Sequence, residues 1–199
     1  MTKRVLLGGL VGAIVVFFVS SFFHMATQLG EMGVHSLPNE AVLSAAMRSS
    51  IPDAGFYIFP GMHTAPGQTS EQKRAEQRAM MEKYKTQPVG ILIYTPPGGD
   101  FEIGKLLLNQ FLFNLAAGLL LAWSMATVAA AWSYRRRVLL AVAFVIFGGL
   151  VYTLPYWNWY RFPLEYILSD AASWIVSWTA AGLAMAAIVK RPGATVAGS

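Results

Sequence analysis

Apolar residues gather into four long runs, 5–26, 106–132, 138–155 and 164–189, separated by short polar stops and by one long mixed segment. At about 1.5 Å per helical residue, each run reaches or nearly reaches across a hydrocarbon core of about 30 Å. The pattern predicts four transmembrane helices. Its stops carry a second signal: with four crossings, Lys3 with Arg4, the triplet Arg135-Arg136-Arg137, and Lys190 with Arg191 all fall on one side. Short basic loops mark the cytoplasmic face, so both termini are expected there, and residues 27–105 and the Tyr156–Pro163 turn are expected outside. The first run follows two basic residues, as a signal peptide would. It is too long for one, and Phe22, Phe23, His24 and Met25 stand where small residues should precede a cleavage site, so it reads as a retained helix.

Between the first two runs the pattern changes period. Asn39 or Ser36 is placed to cap a short helix over Ala41–Arg48, and Ile51-Pro52-Asp53-Ala54-Gly55 is turn chemistry. Phe56–Phe59 reads as a strand stopped by Pro60-Gly61. Thr69 with Gln72 forms a capping box that opens a charged, solvated helix to about Lys85, and Val89–Tyr94 reads as a second strand before the breaker Pro96–Asp100. The connection allows either a parallel crossover or an antiparallel pair. Two strands alone are marginal in water, so the unit needs cover from the helices or from a partner.

Composition supports the membrane reading. Hydrophobic residues make up 55% and charged residues 13%, with a mean hydropathy of +0.48, where a soluble domain would carry about 25% charge. The formal charge of +5 sits largely in the juxtamembrane clusters, which meet anionic headgroups, so nucleic acid is not an expected partner. There is no cysteine, which excludes disulfides, thiolate metal sites and thiol catalysis. No nucleotide-binding loop, zinc-protease motif or nucleophile elbow is present. His35 and His63 read as surface residues, and the tail 192–199 as disordered.

Chemistry, if the chain has any, lies in polar residues inside the runs. His24, Gln110, Asn114 and Asp170 all fall toward the outer ends, with Arg161 nearby in the last turn. Two accounts compete: interhelical hydrogen bonds that hold the bundle, or an outward-facing polar pocket in which Asp170 and His24 titrate protons or bind headgroups. Haem is disfavoured because only His24 lies in a span, and no metal or cofactor is expected. Tyr156, Trp157, Trp159 and Tyr160 form an interfacial aromatic belt on a tight hairpin, or else a rim around a lipid or quinone head. Gly8 and Gly12 match the small-residue spacing that lets another helix approach closely.

The strings Leu29–Gly33, Ser36–Glu40, Phe59-Pro60-Gly61 and Tyr156–Pro163 resemble those of a group of small, functionally uncharacterised bacterial membrane proteins with four predicted helices. That resemblance implies a bacterial inner-membrane home and no particular activity. The fold expected is therefore a mainly α, four-helix transmembrane bundle with a small α/β extracytoplasmic segment over 27–105. The function expected is that of a non-enzymatic accessory or scaffold subunit, in contact with membrane lipids and with a protein partner or further copies of itself. The alternative is a lipid- or quinone-headgroup-binding protein, or a small transporter, built on the outer polar pocket.

The charge pattern yields a direct expectation. A cysteine introduced as Ser70→Cys, unique in the chain, should react with a membrane-impermeant maleimide in intact spheroplasts; reaction only after the inner membrane is opened would reverse the topology.

Overall fold

The computed structural model describes residues 2–61 and 66–190; His63, Arg191 and the tail 192–199 lie outside them. In chain order the elements are α1 (Thr2–Ala26), a 3-10 turn (Gln28–Glu31), α2 (Glu40–Ser50), β1 (Gly55–Phe59), α3 (Ser70–Thr86), β2 (Gly90–Tyr94), α4 (Ile103–Val128), α5 (Tyr134–Gly148), a π segment (Gly149–Thr153), α6 (Leu154–Tyr160) and α7 (Leu164–Ile188). Four helices, with α5 through α6 counted as one, are long and apolar enough to cross a membrane. The chain divides into two compact units, one of Met1–His35 with Glu102–Ser199 and the other of Ser36–Phe101.

Within the first unit α1 is the spacer. It packs along both α4 and α7, α7 also packs along α5, and α4 meets α5 only slightly. The reason lies in the run Gly8-Gly9-Leu10-Val11-Gly12-Ala13, whose glycines and alanine are all buried. A Cβ on Gly8 would stand 2.7 Å from Val189 Cγ2, and one on Gly12 would drive into the Met185 side chain, so these two positions face α7. Gly9 faces the other way: a Cβ there would lie 2.9 Å from the Leu119 Cα, and one on Gly118 would lie 2.7 Å from the Gly9 carbonyl oxygen. Backbones that close exchange dispersion contacts along their whole length. Val16, Leu121, Met125, Trp178 and Met185 fill the space beside this seam, and Gly182 brings α7 equally near to Ala141 of α5.

A polar clamp closes one end. The last carbonyls of a helix have no partner within it and carry partial negative charge. Arg4 Nη1 donates to Lys190 O at 2.6 Å, the Tyr134 hydroxyl to Leu183 O at 3.1 Å, and Arg137 Nη2 to Ala186 O at 3.1 Å. Arg137 Nη1 also donates to Trp132 O at 2.6 Å and the residue is only 5% exposed. The third residue of a triplet read as a basic loop is thus a buried connector of three chain segments, while Arg135 and Arg136 are exposed.

Two expectations are corrected. The string Tyr156–Tyr160 is not a hairpin turn: it is helical and prolongs the third span, with the reversal confined to Arg161-Phe162-Pro163. Pro155 falls in the first turn of α6, directly after the π segment where the helical hydrogen-bond pattern is already interrupted, and Arg161 adopts a left-handed φ of 57° that ends the helix. Neither Asn39 nor Ser36 caps α2 through its side chain; Asn39 occupies the cap position at φ 51° without a side-chain bond.

In the second unit the strands pair antiparallel, with Phe56 opposite Ile93 and Ile58 opposite Ile91. The capping box is present in both directions, Thr69 Oγ1 accepting from Gln72 N and Gln72 Oε1 from Thr69 N. Neither α2 nor α3 buries a single residue.

The seam makes a quantitative prediction. Gly12→Ile must displace the fully buried Met185 and should lower the melting temperature in detergent by the equivalent of about 1–3 kcal/mol. Leu10→Ile, at an exposed position of the same helix, should leave it unchanged; equal melting of both variants would remove the seam from the account.

Candidate functional site

Asp170 stands in the second turn of α7, and its carboxylate Oδ1 accepts a hydrogen bond from Trp174 Nε1 at 3.0 Å, one turn further on. The residue has a cavity on each side, one small and one large, and both run along its helix.

The small cavity, about 30 Å³, is bounded by His24, Tyr166, Ser169, Ser173 and Asp170 together with Phe23, Leu29 and Gly30, and its walls are mostly apolar. Local sequence builds it. Thr27 donates to Phe23 O at 2.7 Å, which ends α1, and accepts from Leu29 N at 3.3 Å, which starts the 3-10 turn. Ser169 Oγ then donates to Leu29 O and holds that turn against α7. Gly30 is required because a Cβ would lie 2.7 Å from the His24 Cα, and Gly33, at φ +74°, passes 2.9 Å from the backbone nitrogen of Tyr166 by the same measure.

The large cavity is a groove of about 790 Å³ where α4 diverges from α5. Its walls are apolar side chains of α4, α5, the π segment and α7, among them Leu121, Phe144, Ile167 and Trp178. From Tyr166 to Trp178 it follows α7 for about 18 Å at the helical rise. Its polar end is a chain of rings. Tyr152 meets Tyr156 at 5.2 Å between centroids, Tyr156 meets Phe162 at 5.2 Å, and Phe162 meets Tyr166 at 5.6 Å. The Tyr156 hydroxyl donates to that of Tyr152 at 2.9 Å.

The polar residues singled out from the sequence separate into groups. His24 and Asp170 share the small cavity. Gln110 donates to Asn114 Oδ1 at 3.1 Å on α4, and neither borders either cavity. Asn114 is 3% exposed, and its Nδ2 is a buried donor without a partner among the described residues. Arg161 caps α6 and lines neither cavity. Of the four aromatic candidates only Tyr156 lines the groove; Trp157, Trp159 and Tyr160 are exposed. Gly8 and Gly12 belong to the seam of α1 and α7.

Sequence reading missed Tyr152, Tyr166 and Trp174. Tyr152, Tyr156 and Tyr160 recur every fourth residue, a helical spacing hidden by taking the last two as a turn. Among the described residues no three His, Asp or Glu side chains gather to hold a metal.

Because the Asp170 carboxylate serves the Trp174 indole, the two obvious substitutions should differ. Asp170→Asn keeps an acceptor and should melt within error of the wild type in detergent. Asp170→Leu orphans the N–H and should cost about 1–3 kcal/mol. Equal melting of the two would show that the bond contributes nothing.

No family model, curated protein or solved structure matches this chain, so the site is read from its own geometry alone.

Proposed function

We propose that this chain is a non-enzymatic accessory subunit of the bacterial inner membrane, with both termini in the cytoplasm. Its Ser36–Phe101 unit docks on the extracytoplasmic domain of a different membrane protein. The supporting observation is the exposure of Ile58 and Ile93 on the sheet. Phe56, Ile58, Ile91 and Ile93 line up on one face through the antiparallel register; Phe56 and Ile58 are each 51% exposed and Ile93 74%. Both strands are edges, and with Ile58 and Ile93 exposed the two-stranded sheet has less cover than independent stability requires. A neighbouring domain supplies that cover by packing on the face or adding a strand.

Charge favours a protein over a lipid surface as the occupant. The unit carries six acidic side chains (Glu40, Asp53, Glu71, Glu76, Glu82, Asp100) and six basic ones (Arg48, Lys73, Arg74, Arg78, Lys83, Lys85), so it has no net attraction to anionic headgroups.

The test is site-specific photo-crosslinking in cells. A photoreactive residue at Ile93 should give one discrete adduct with another membrane protein, and one at Glu76 on α3 should not. Phe56→Lys, on the same face, should abolish the adduct without lowering the protein's level in the membrane. Adducts only with lipid, or an adduct of twice the chain's own mass, would defeat the proposal.

A further inference from the structure

We infer that the groove beside Asp170 is a binding site for one long-tailed amphiphile whose uncharged head donates hydrogen bonds. The inference is independent of any partner at the extracytoplasmic unit.

The walls select the tail. Beyond Asp170 the groove follows α7 for about a further 12 Å to Trp178 between mostly apolar side chains, most of the depth of one leaflet of a hydrocarbon core of about 30 Å. The volume of about 790 Å³ falls within the range of small-molecule sites, roughly 300–1,000 Å³. The cleft is also built into the backbone. Gly148 and Gly149 border it, and a Cβ added at either would meet nothing within 4 Å, although both have ordinary helical φ values of −58° and −60°. Helix geometry at these positions accepts any side chain, and space is left on the groove side. The π segment starts there, an irregularity that recurs at functional sites.

The mouth selects the head. Asp170, Trp174, Tyr152, Tyr156 and Tyr166 are polar groups of its lining, to which Thr153 adds a hydroxyl and Trp178 an indole N–H, and among the described residues no Lys, Arg or His borders the groove. The Trp174 N–H is already committed to Asp170 Oδ1, and the Tyr156 hydroxyl proton to Tyr152. The hydroxyls of Tyr152, Thr153 and Tyr166 can both donate and accept, whereas the carboxylate, the one charged group of the lining among the described residues, accepts only and so asks for a donor on the ligand. An anionic phosphate would find no cation and would meet like charge, whereas a phenolic or alcoholic hydroxyl would find its acceptor and flat aromatic faces to lie on. A quinol and a diacylglycerol share this chemistry.

Native mass spectrometry of the full chain in mild detergent distinguishes these, using decylubiquinol, dioleoylglycerol and dioleoylphosphatidic acid as probes. Expected is one molecule of decylubiquinol, dioleoylglycerol or both per chain, held at least about tenfold more tightly than dioleoylphosphatidic acid. Retention of decylubiquinol alone identifies a phenolic head, of dioleoylglycerol alone a glyceride, and of both the hydroxyl donor common to them. Gly149→Phe, which fills the groove without a backbone penalty, should lower retention at least about tenfold with no fall in melting temperature. Ala171→Phe, from the α7 wall, gives a second occluding variant should the first fail to fold. Retention of no hydroxyl probe overturns the inference, as does equal retention of the phosphatidic acid. Unchanged binding by a folded occluded variant does so too, and so does a dimer that Gly149→Phe dissolves.

Discussion

The close approach of α1 to the α4 backbone on one side and to α7 side chains on the other fixes this molecule. α1 lies between α4 and α7 because Gly8, Gly9 and Gly12 present almost no side chain to either neighbour, and Gly118 returns the accommodation from α4. Helices long and apolar enough to cross a membrane would gain no hydrophobic energy from one another in lipid, where close packing has to carry the association. Everything else is arranged around that sandwich. With α1 occupying the space between α4 and α7, α5 and α6 can reach only the far side of α7, and the groove is the gap that α4 and α5 leave open.

The ends of α7 are treated in opposite ways. At its C-terminal end the carbonyls of Leu183, Ala186 and Lys190 receive tyrosine and arginine donors from α1 and the start of α5, which satisfies the unpaired Ala186 oxygen and sets positive charge where the helix dipole favours it. Its N-terminal turns border two cavities and hold the one acidic side chain that lines either. One helix is thus rigidly held at one end and open to small molecules at the other.

How much of this was legible in the sequence depended on the range of the interaction. Long apolar runs, the Thr69–Gln72 box and the glycine spacing of α1 depend on residues near one another in the chain, and they read directly. The strand pairing was left open because either direction satisfies the same side-chain pattern. The aromatic string was misread because tyrosine and tryptophan next to proline look like a boundary, while Pro155 in fact sits in the first turn of a helix. The groove could not be read at all. It comes from the divergence of two helices that hardly touch, and no local pattern records a missing contact. Asp170 and His24 border the same small cavity, whereas Gln110 and Asn114 are bonded to each other along α4 and border neither cavity, a division that their positions in the sequence do not record.

The bond between Arg4 and Lys190 joins residues 186 positions apart. A chain made from its N-terminus lays down α1 first, yet both surfaces that α1 was shaped to meet arrive afterwards, α7 last of all. Until those surfaces arrive the glycine seam has neither of its partners. The bundle can lock only when α7 has been completed and its terminal carbonyls come within reach of Arg4. Assembly of this protein is in that sense a late event, decided by its final helix and not by its first.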